Sequence, residues 1–465
     1  MKLIQEILQN RNLSFVDAKS ENEFTLNEIL FDLKTIESKN KQLVFLYCKN
    51  QIEDIGLYFS FLKSNFTIAL LNRELNIELK QNLEKTYLPN VIFDDSRDGI
   101  EAYNRIQIQS DAQKLTSTLF YNSNVQTAIH ANVKLLLSTS GTTGSPKFVK
   151  LSEENIYQNT LSISSYLPII SEDVTPLNLP IFYSYGLSVL QTNALKGGTI
   201  VCNTDDILSR TFWKQWDVYK FTSFAGVPFV YQMLERIGFL KKTYSSLRYF
   251  SQAGGNLNVK TKKRFLNYGL ENDYSFYVMY GQTEATARIS YVEPKALQTN
   301  LTTIGTPIPN GVLEIDKETE ELLYKGPNIF GGYAKQASDL ENWEDIQTLH
   351  TGDLAYKDEH GFFFIKGRMK RFVKLFGNRI NLDEIERLIK QKLNGITCAS
   401  IGFQDKQLII FLEKPEFDTA EIHQFLTKEI KIHTSTIKYR FIEEFPLNAN
   451  GKMDYNQLTR LYNKT

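Results

Sequence analysis

A chain of 465 residues, 42% hydrophobic and 23% charged, has the composition of a globular protein and the length of about three domain-sized units. Its 53 basic residues balance 53 acidic ones, so charge gives no reason to expect nucleic acid or an anionic membrane as the main partner. Cys48, Cys202 and Cys398 are odd in number, far apart and without CxxC spacing; they indicate neither a disulfide framework nor a zinc knuckle, and a reducing, cytoplasmic setting is expected. The first residues, MKLIQEILQNRNLSF, are interrupted by Gln, Glu and Asn before an apolar signal core can form, and no apolar run is long enough to cross a bilayer.

Along the chain, strand-length runs rich in Val, Ile, Phe and Tyr (KQLVFLYC, FTIALLN, VKLLLST, GGTIVC, FTSFAGV, LRYFSQAGG, YSFYVMYG) alternate with stretches at helical spacing (EENIYQNTLSIS, VPFVYQMLERIGF, NVKTKKRFLNYG). That alternation predicts α/β layers with largely parallel sheets. After about residue 366 the pattern changes. FFFIKG and RFVKLFG are expected to form a β-pair and LDEIERLIKQKL an amphipathic helix; TCASIGF, KQLIIFLE, TAEIHQFLTKEI and IKYRFIE follow. The helix starts at Asn381, with Asp383, Glu384 and Glu386 in its first turns and Lys390 and Lys392 near its end, as the helix dipole favours. The expected fold is therefore α/β, a large domain of layered α/β sheets over 1–366 with a small α+β domain over 367–465. No internal repeat or low-complexity segment interrupts it.

Between VKLLLST and the helical pattern from Ser152 stands TSGTTGSPK (139–147). A strand, a Gly/Ser/Thr turn, a lysine and then a helix is an arrangement that cradles phosphate: hydroxyls and backbone N–H groups converge on the anion and the lysine neutralises it. The Walker A pattern fails here, because Pro146 stands at its second glycine and Phe148 at its Ser/Thr. A solvated loop would read the same locally. Three further segments change the weighting. YGQTEAT (280–286) puts an aromatic, a hydroxyl and a carboxylate at a strand's end, where open α/β sheets bind ligands. HTGDLA (350–355) offers Asp353 in a turn with Arg368 behind it, and NANGKMDY carries Lys452 in a Gly-flanked turn.

In this order and spacing, TSGTTGSPK, AGG (253–255), YGQTE, TGD, the pattern over 367–386 and NGK (450–452) resemble the adenylate-forming superfamily of acyl-CoA synthetases, aryl-acid ligases and peptide-synthetase adenylation domains. The resemblance runs from about residue 130 to the end; the first 130 residues carry no diagnostic motif, and the chain is somewhat shorter than is usual there. The resemblance implies ATP-dependent activation of a carboxylic acid to an acyl-adenylate with release of pyrophosphate, then acyl transfer to a thiol. Two anions must meet, so positioning and cationic stabilisation are needed rather than a covalent nucleophile.

By that resemblance Thr139, Ser140, Gly141, Thr142, Thr143, Gly144 and Lys147 would wrap the triphosphate, and Glu284, with Thr139, would hold Mg²⁺. Thr283 would touch the α-phosphate. Tyr280 and Gly281, with Gly254 and Gly255, would lie at the nucleotide. Asp353 would accept the ribose hydroxyls, assisted by Arg368. Lys452 would bridge the attacking carboxylate and the α-phosphate. A mobile C-terminal domain would swing about a hinge at Lys370, replacing Lys452 by the loop around Gly377 for the thiol step. Tyr183, in LPIFYSYG, Val227 and Ala253 are expected walls of the acyl pocket; Tyr183 stands where many relatives carry histidine, and Val227 and Phe229 read equally well as core. Coenzyme A is the expected acceptor, with a separate carrier protein's phosphopantetheine arm as the alternative, which the ending PLNANGKMD favours. A non-catalytic nucleotide-binding protein on the same fold, or an oxygenase, would also fit the fold.

Overall fold

The computed structural model describes residues 2–138, 147–369, 371–375, 378–393, 396–404, 407–413, 418–430, 434–448 and 452–463. At its centre is an eight-stranded sheet whose order is Tyr333–Ala334, Phe148–Leu151, Leu135–Ser138, Phe66–Asn72, Gln42–Cys48, Val91–Phe93, Thr116–Tyr121, Asn104–Gln109. Along Gln42–Cys48 every residue is buried, and the two faces feed different cores: Val44, Leu46 and Cys48 enter one, Leu43, Phe45 and Tyr47 the other. Period-two burial on both faces is what a sheet covered by helices on each side requires.

Parallel pairing holds only across the four middle strands of this sheet, Leu135–Ser138, Phe66–Asn72, Gln42–Cys48 and Val91–Phe93; its margins are antiparallel. The same holds in a five-stranded sheet, in which Ser223–Gly226, Tyr249–Gln252 and Ser275–Tyr280 run parallel and Ser290–Val292 and Thr306–Pro307 do not. A further sheet, Val312–Ile315, Glu321–Lys325, Leu349–Lys357 and Phe363–Arg368, is antiparallel throughout. The expectation of largely parallel sheets is thus corrected to parallel centres with antiparallel margins: apolar runs of strand length do not encode the direction of their neighbours.

Two other expectations change. FFFIKG does not pair with RFVKLFG. Phe363–Arg368 turns back on Leu349–Lys357 through Asp358, whose carboxylate accepts the N–H groups of His360 and Phe362, while Phe372–Leu375 pairs with Asn378–Asn381. The helix expected from Ser152 forms, but a strand that was not expected comes between it and Lys147. Phe148–Leu151 returns antiparallel to Leu135–Ser138, and only then does the helix Glu153–Tyr166 begin, capped by reciprocal bonds between Ser152 and Asn155. The Gly/Ser/Thr segment therefore joins two antiparallel strands rather than opening a helix. Phe148 is fully buried against Phe45 and Tyr87, ring centroids 6.1 and 4.7 Å away.

The helices expected over 227–239 and 258–269 form as Pro228–Arg236 and Val259–Asn272, packing on the five-stranded sheet, where Phe224, Phe250 and Phe276 stack on successive parallel strands. Past residue 372, the helix Leu382–Lys392 starts on Asn381, whose side chain accepts the N–H groups of Asp383 and Glu384. It packs with the sheet Cys398–Phe403, Gln407–Leu412 and Ile437–Phe441 around a core of its own, running from Val373 to Ile437. Cys48, Cys202 and Cys398 are free, and burial pushes all three thiols up, Cys398 to about 12. No described helix is long and apolar enough to cross a membrane.

Candidate active site

Three adjacent parallel strands end at one place. Ser223–Gly226 delivers Val227, Tyr249–Gln252 delivers Ala253, Gly254 and Gly255, and Ser275–Tyr280 delivers Tyr280 and Gly281. The carboxyl edge of parallel strands is where α/β sheets leave room for ligands. Gly254 has φ +83°, and a Cβ there would stand 2.3 Å from the Tyr183 hydroxyl, so the position needs glycine on both counts. Tyr183 precedes the helix Ser184–Lys196 and is, like Val227 and Ala253, buried in the same core. All three are core residues next to the sheet edge, and Phe229 packs half-buried at the margin.

The Tyr280 hydroxyl donates to Asp353 Oδ2 at 2.5 Å, and Arg368 Nε pairs with Asp353 Oδ1 at 2.8 Å. Asp353 and Arg368 are cross-strand partners, beside a bulge that re-aims the strand. Asp353 was expected in a turn, but it lies within the strand Leu349–Lys357; Gly352 before it, at φ +72°, donates its N–H to Glu321, and its carbonyl accepts the N–H of Met369. Asp353 is 3% exposed, and this burial pushes its carboxyl up against the opposing pull of Arg368 and Tyr280. Tyr280 is pushed well up by burial and by Asp353 beside it, so it stays a hydrogen-bond donor.

On the other side of Tyr280, the short turn Thr283–Ala285 carries Glu284, whose Oε1 accepts the Tyr333 hydroxyl at 2.8 Å. Lys147 Nζ lies 3.5 Å from the centroid of the same tyrosine ring. Tyr333 was not foreseen. Its signal, an aromatic closing GPNIFGGY, is too common a pattern to stand out. Glu284 keeps its second carboxylate oxygen for a ligand. One hard carboxylate fits Mg²⁺, which holds several waters and takes its other ligands from substrate phosphates. Among the described residues no group of three or more His, Cys, Asp or Glu forms a metal cage.

Lys452 reaches this place from the C-terminal region. Its backbone is fixed by Asn448, which accepts the Lys452 N–H through Oδ1 and donates its own N–H to the Lys452 carbonyl. Its ammonium lies 5.7 Å from the Tyr183 ring centroid. Burial, and then Arg368, lower its pKa to about 8 against the upward pull of Glu284 and Asp353. Thr139, Ser140, Gly141, Thr142, Thr143, Gly144, Lys370 and Gly377 lie outside the described residues.

An α/β chain that gathers a buried aspartate held by a tyrosine and an arginine, a second, half-buried carboxylate and a lysine from its C-terminal region at one sheet edge has the layout of an adenylate-forming enzyme. The family model described as "AMP-binding enzyme" matches residues 33–334, and the chain belongs to that family. It is 26% identical over 451 residues to a 2-succinylbenzoate–CoA ligase of Bacillus cereus (strain ATCC 10987 / NRS 248), covering 92% of this chain and 90% of that protein. A second such ligase, from Bacillus cereus (strain Q1), is 28% identical over 70% of this chain and 69% of its own length. Among solved structures, O-succinylbenzoate coenzyme A synthetase from Bacillus subtilis in complex with AMP superposes with a TM-score of 0.74 at 21% identity, over 98% of this chain and 97% of that one. ATP-bound MatB from Rhodopseudomonas palustris superposes with a TM-score of 0.77 at 20% identity, over 99% and 98%.

Proposed function

We propose that the protein activates a carboxylic acid with ATP and passes the acyl group to coenzyme A. It is an AMP-forming acid–thiol ligase. An oxygen of the acid bonds to the α-phosphorus as the bond to the β-phosphate oxygen breaks, releasing pyrophosphate; the thiol sulfur then bonds to the acyl carbon, AMP leaves and the thiol proton goes to solvent. The observation that carries the reading is the convergence of Lys452 on Tyr183 beside the Tyr280–Asp353–Arg368 triad.

In this reading Asp353 accepts the ribose hydroxyls and Arg368 keeps it ionised. Tyr280 lies against the base, and Thr283 meets the α-phosphate. Lys147 and the segment Thr139–Gly144 hold the β- and γ-phosphates. Glu284 holds Mg²⁺, which when bound neutralises phosphate charge. Lys452, charged and desolvated, stabilises the negative charge shared by the incoming carboxylate and the α-phosphate. We also propose a boundary at 366/367, with Lys370 as hinge and the loop around Gly377 serving the thiol step; the separate core of 373–437 supports a body able to turn on its own. ATP and coenzyme A, with three free buried thiols, support the cytoplasm as its place.

The test is pyrophosphate release with ATP, Mg²⁺ and hydroxylamine across fatty, aryl and keto acids, beginning with 2-succinylbenzoate, the acid named in its relatives. Release that depends on one acid class and disappears in Lys452→Ala supports the reading. Release that is indifferent to the acid overturns it. Replacing hydroxylamine with coenzyme A or a phosphopantetheinylated carrier identifies the acceptor.

A further inference from the structure

Several buried and half-buried cations of this protein are met by a carboxylate or, as Lys150 is by the Asp339 and Asn342 carbonyls, by close bonds to backbone oxygens. Lys80 pairs with Asp94 at 2.8 Å, Arg97 with Glu84 at 2.5 Å and Arg248 with Asp173 at 2.5 Å; Lys134 and Lys262 instead donate to backbone carbonyls at 2.6 to 3.0 Å. Arg288 has no carboxylate, and its one backbone acceptor is the carbonyl of its own neighbour. It is 3% exposed, no described carboxylate forms an ion pair with it, and its bonds to Met279 Sδ, the Ala287 carbonyl and Ser188 Oγ are each 3.3 Å long. A guanidinium stays charged in any protein environment, and burying one without a counter-ion costs several kcal/mol. Such a residue is retained where an anion arrives.

The position says which anion. Arg288 lies four residues beyond Glu284, and its guanidinium carbon is 4.1 Å from the centroid of Tyr185. Tyr185 contacts Tyr183 edge-on at 6.3 Å, and Lys452 Nζ lies 5.7 Å from the Tyr183 ring centroid. Two cations thus lie near a pair of tyrosine rings, one where the reacting carboxylate is proposed to bind and one deeper among apolar walls. Arg288 also acts electrostatically on Tyr183, drawing its hydroxyl down against the upward push of burial.

Resting on the ligase reading above, we propose that Arg288 is a specificity-determining residue that receives a second carboxylate, so that the substrate is a dicarboxylic acid whose far carboxylate replaces the long bonds to Met279 and Ser188 with a bidentate pair.

The experiment measures kcat/KM for pyrophosphate release by the full chain with 2-succinylbenzoate and with straight-chain diacids from malonate to suberate. Each is set against matched monoacids, 4-oxo-4-phenylbutanoate and 2-butanoylbenzoate for the first and the corresponding fatty acids for the rest. The best diacid is expected to exceed its monoacids by about 30-fold or more. Arg288→Met should remove that preference and leave monoacid turnover within about threefold, and Arg288→Lys should fall between. A monoacid turned over better than every diacid, or an Arg288→Met loss equal for both classes at unchanged melting temperature, overturns the proposal. Should the Met variant not fold, the wild-type ratio and Arg288→Lys decide. Silence with every acid, by contrast, overturns the ligase reading itself.

Discussion

The site is built from two unlike halves. At the sheet edge, Asp353, Tyr280, Arg368, Glu284 and Tyr333 are tied to one another by short bonds and to buried strands by register. Lys452 hangs from a turn held by two backbone bonds to Asn448, in a segment that belongs to another core. In the proposed reading, the first half holds the nucleotide in one geometry, and the second delivers a charge and withdraws it. The contrast fits a two-step reaction in which the nucleotide stays while the groups around the acyl carbon are exchanged.

The largest effect should come from the delivered half. Lys452→Ala is expected to slow adenylation by about a thousandfold, the scale of losing one preorganised charge stabiliser, while thioester formation from supplied acyl-adenylate stays within a few fold. Rapid-quench assays of the two half-reactions check this, and an equal loss in both would erase the distinction between the halves. Phe148→Ala, on the fixed side, should cost about 3–5 kcal/mol of stability by opening a cavity against Phe45 and Tyr87; denaturant unfolding measures it, with Lys452→Ala as an unchanged control. Asp353→Asn should raise the KM for ATP about 30-fold with kcat less affected, because a ribose anchor is lost and Arg368 is left without its partner.

The smallest effect is a pH limb. Lys452 must be protonated to stabilise the transition state, and its pKa is lowered to about 8. The charged form is therefore complete below about pH 7 and lost as pH rises through 8. kcat/KM for ATP, which reports the free enzyme, should fall about tenfold per pH unit above that point. Lys452→Arg should move the limb beyond pH 10, whereas Asp353→Asn, which removes an upward pull on the ammonium while Arg368 still pushes it down, should move it below 8.

What was legible in the sequence follows the same division between local and distant causes. YGQTEAT and HTGDLA were readable because local backbone demands fix their glycines: a Cβ at Gly281 would stand 2.1 Å from the Ala287 carbonyl, and Gly352, with open space around it, sits at positive φ. The Asn381 cap was readable because capping is chemistry among neighbours. Tyr333 and Arg288 were not, since the one acts on a residue 49 positions away and the other on one 100 positions away. Strand partners failed for the same reason. FFFIKG and RFVKLFG are adjacent and equally apolar, and only the turn at Asp358 sends the first back to Leu349–Lys357. Phe148, which stood out in the sequence as breaking the Walker A pattern, is a core residue whose neighbours Phe45 and Tyr87 lie far earlier in the chain.

The three cysteines have a consequence for an enzyme that makes a mixed anhydride. Acyl-adenylates acylate any thiolate they meet, and a ligase holding one for the length of a domain rotation is exposed to self-modification. Cys48, Cys202 and Cys398 are all buried with their thiols held protonated. In the described structure, then, the sulfur that reaches the intermediate is the one the acceptor brings, and chemoselectivity rests on where the chain keeps its own sulfur as much as on how it binds the acceptor's.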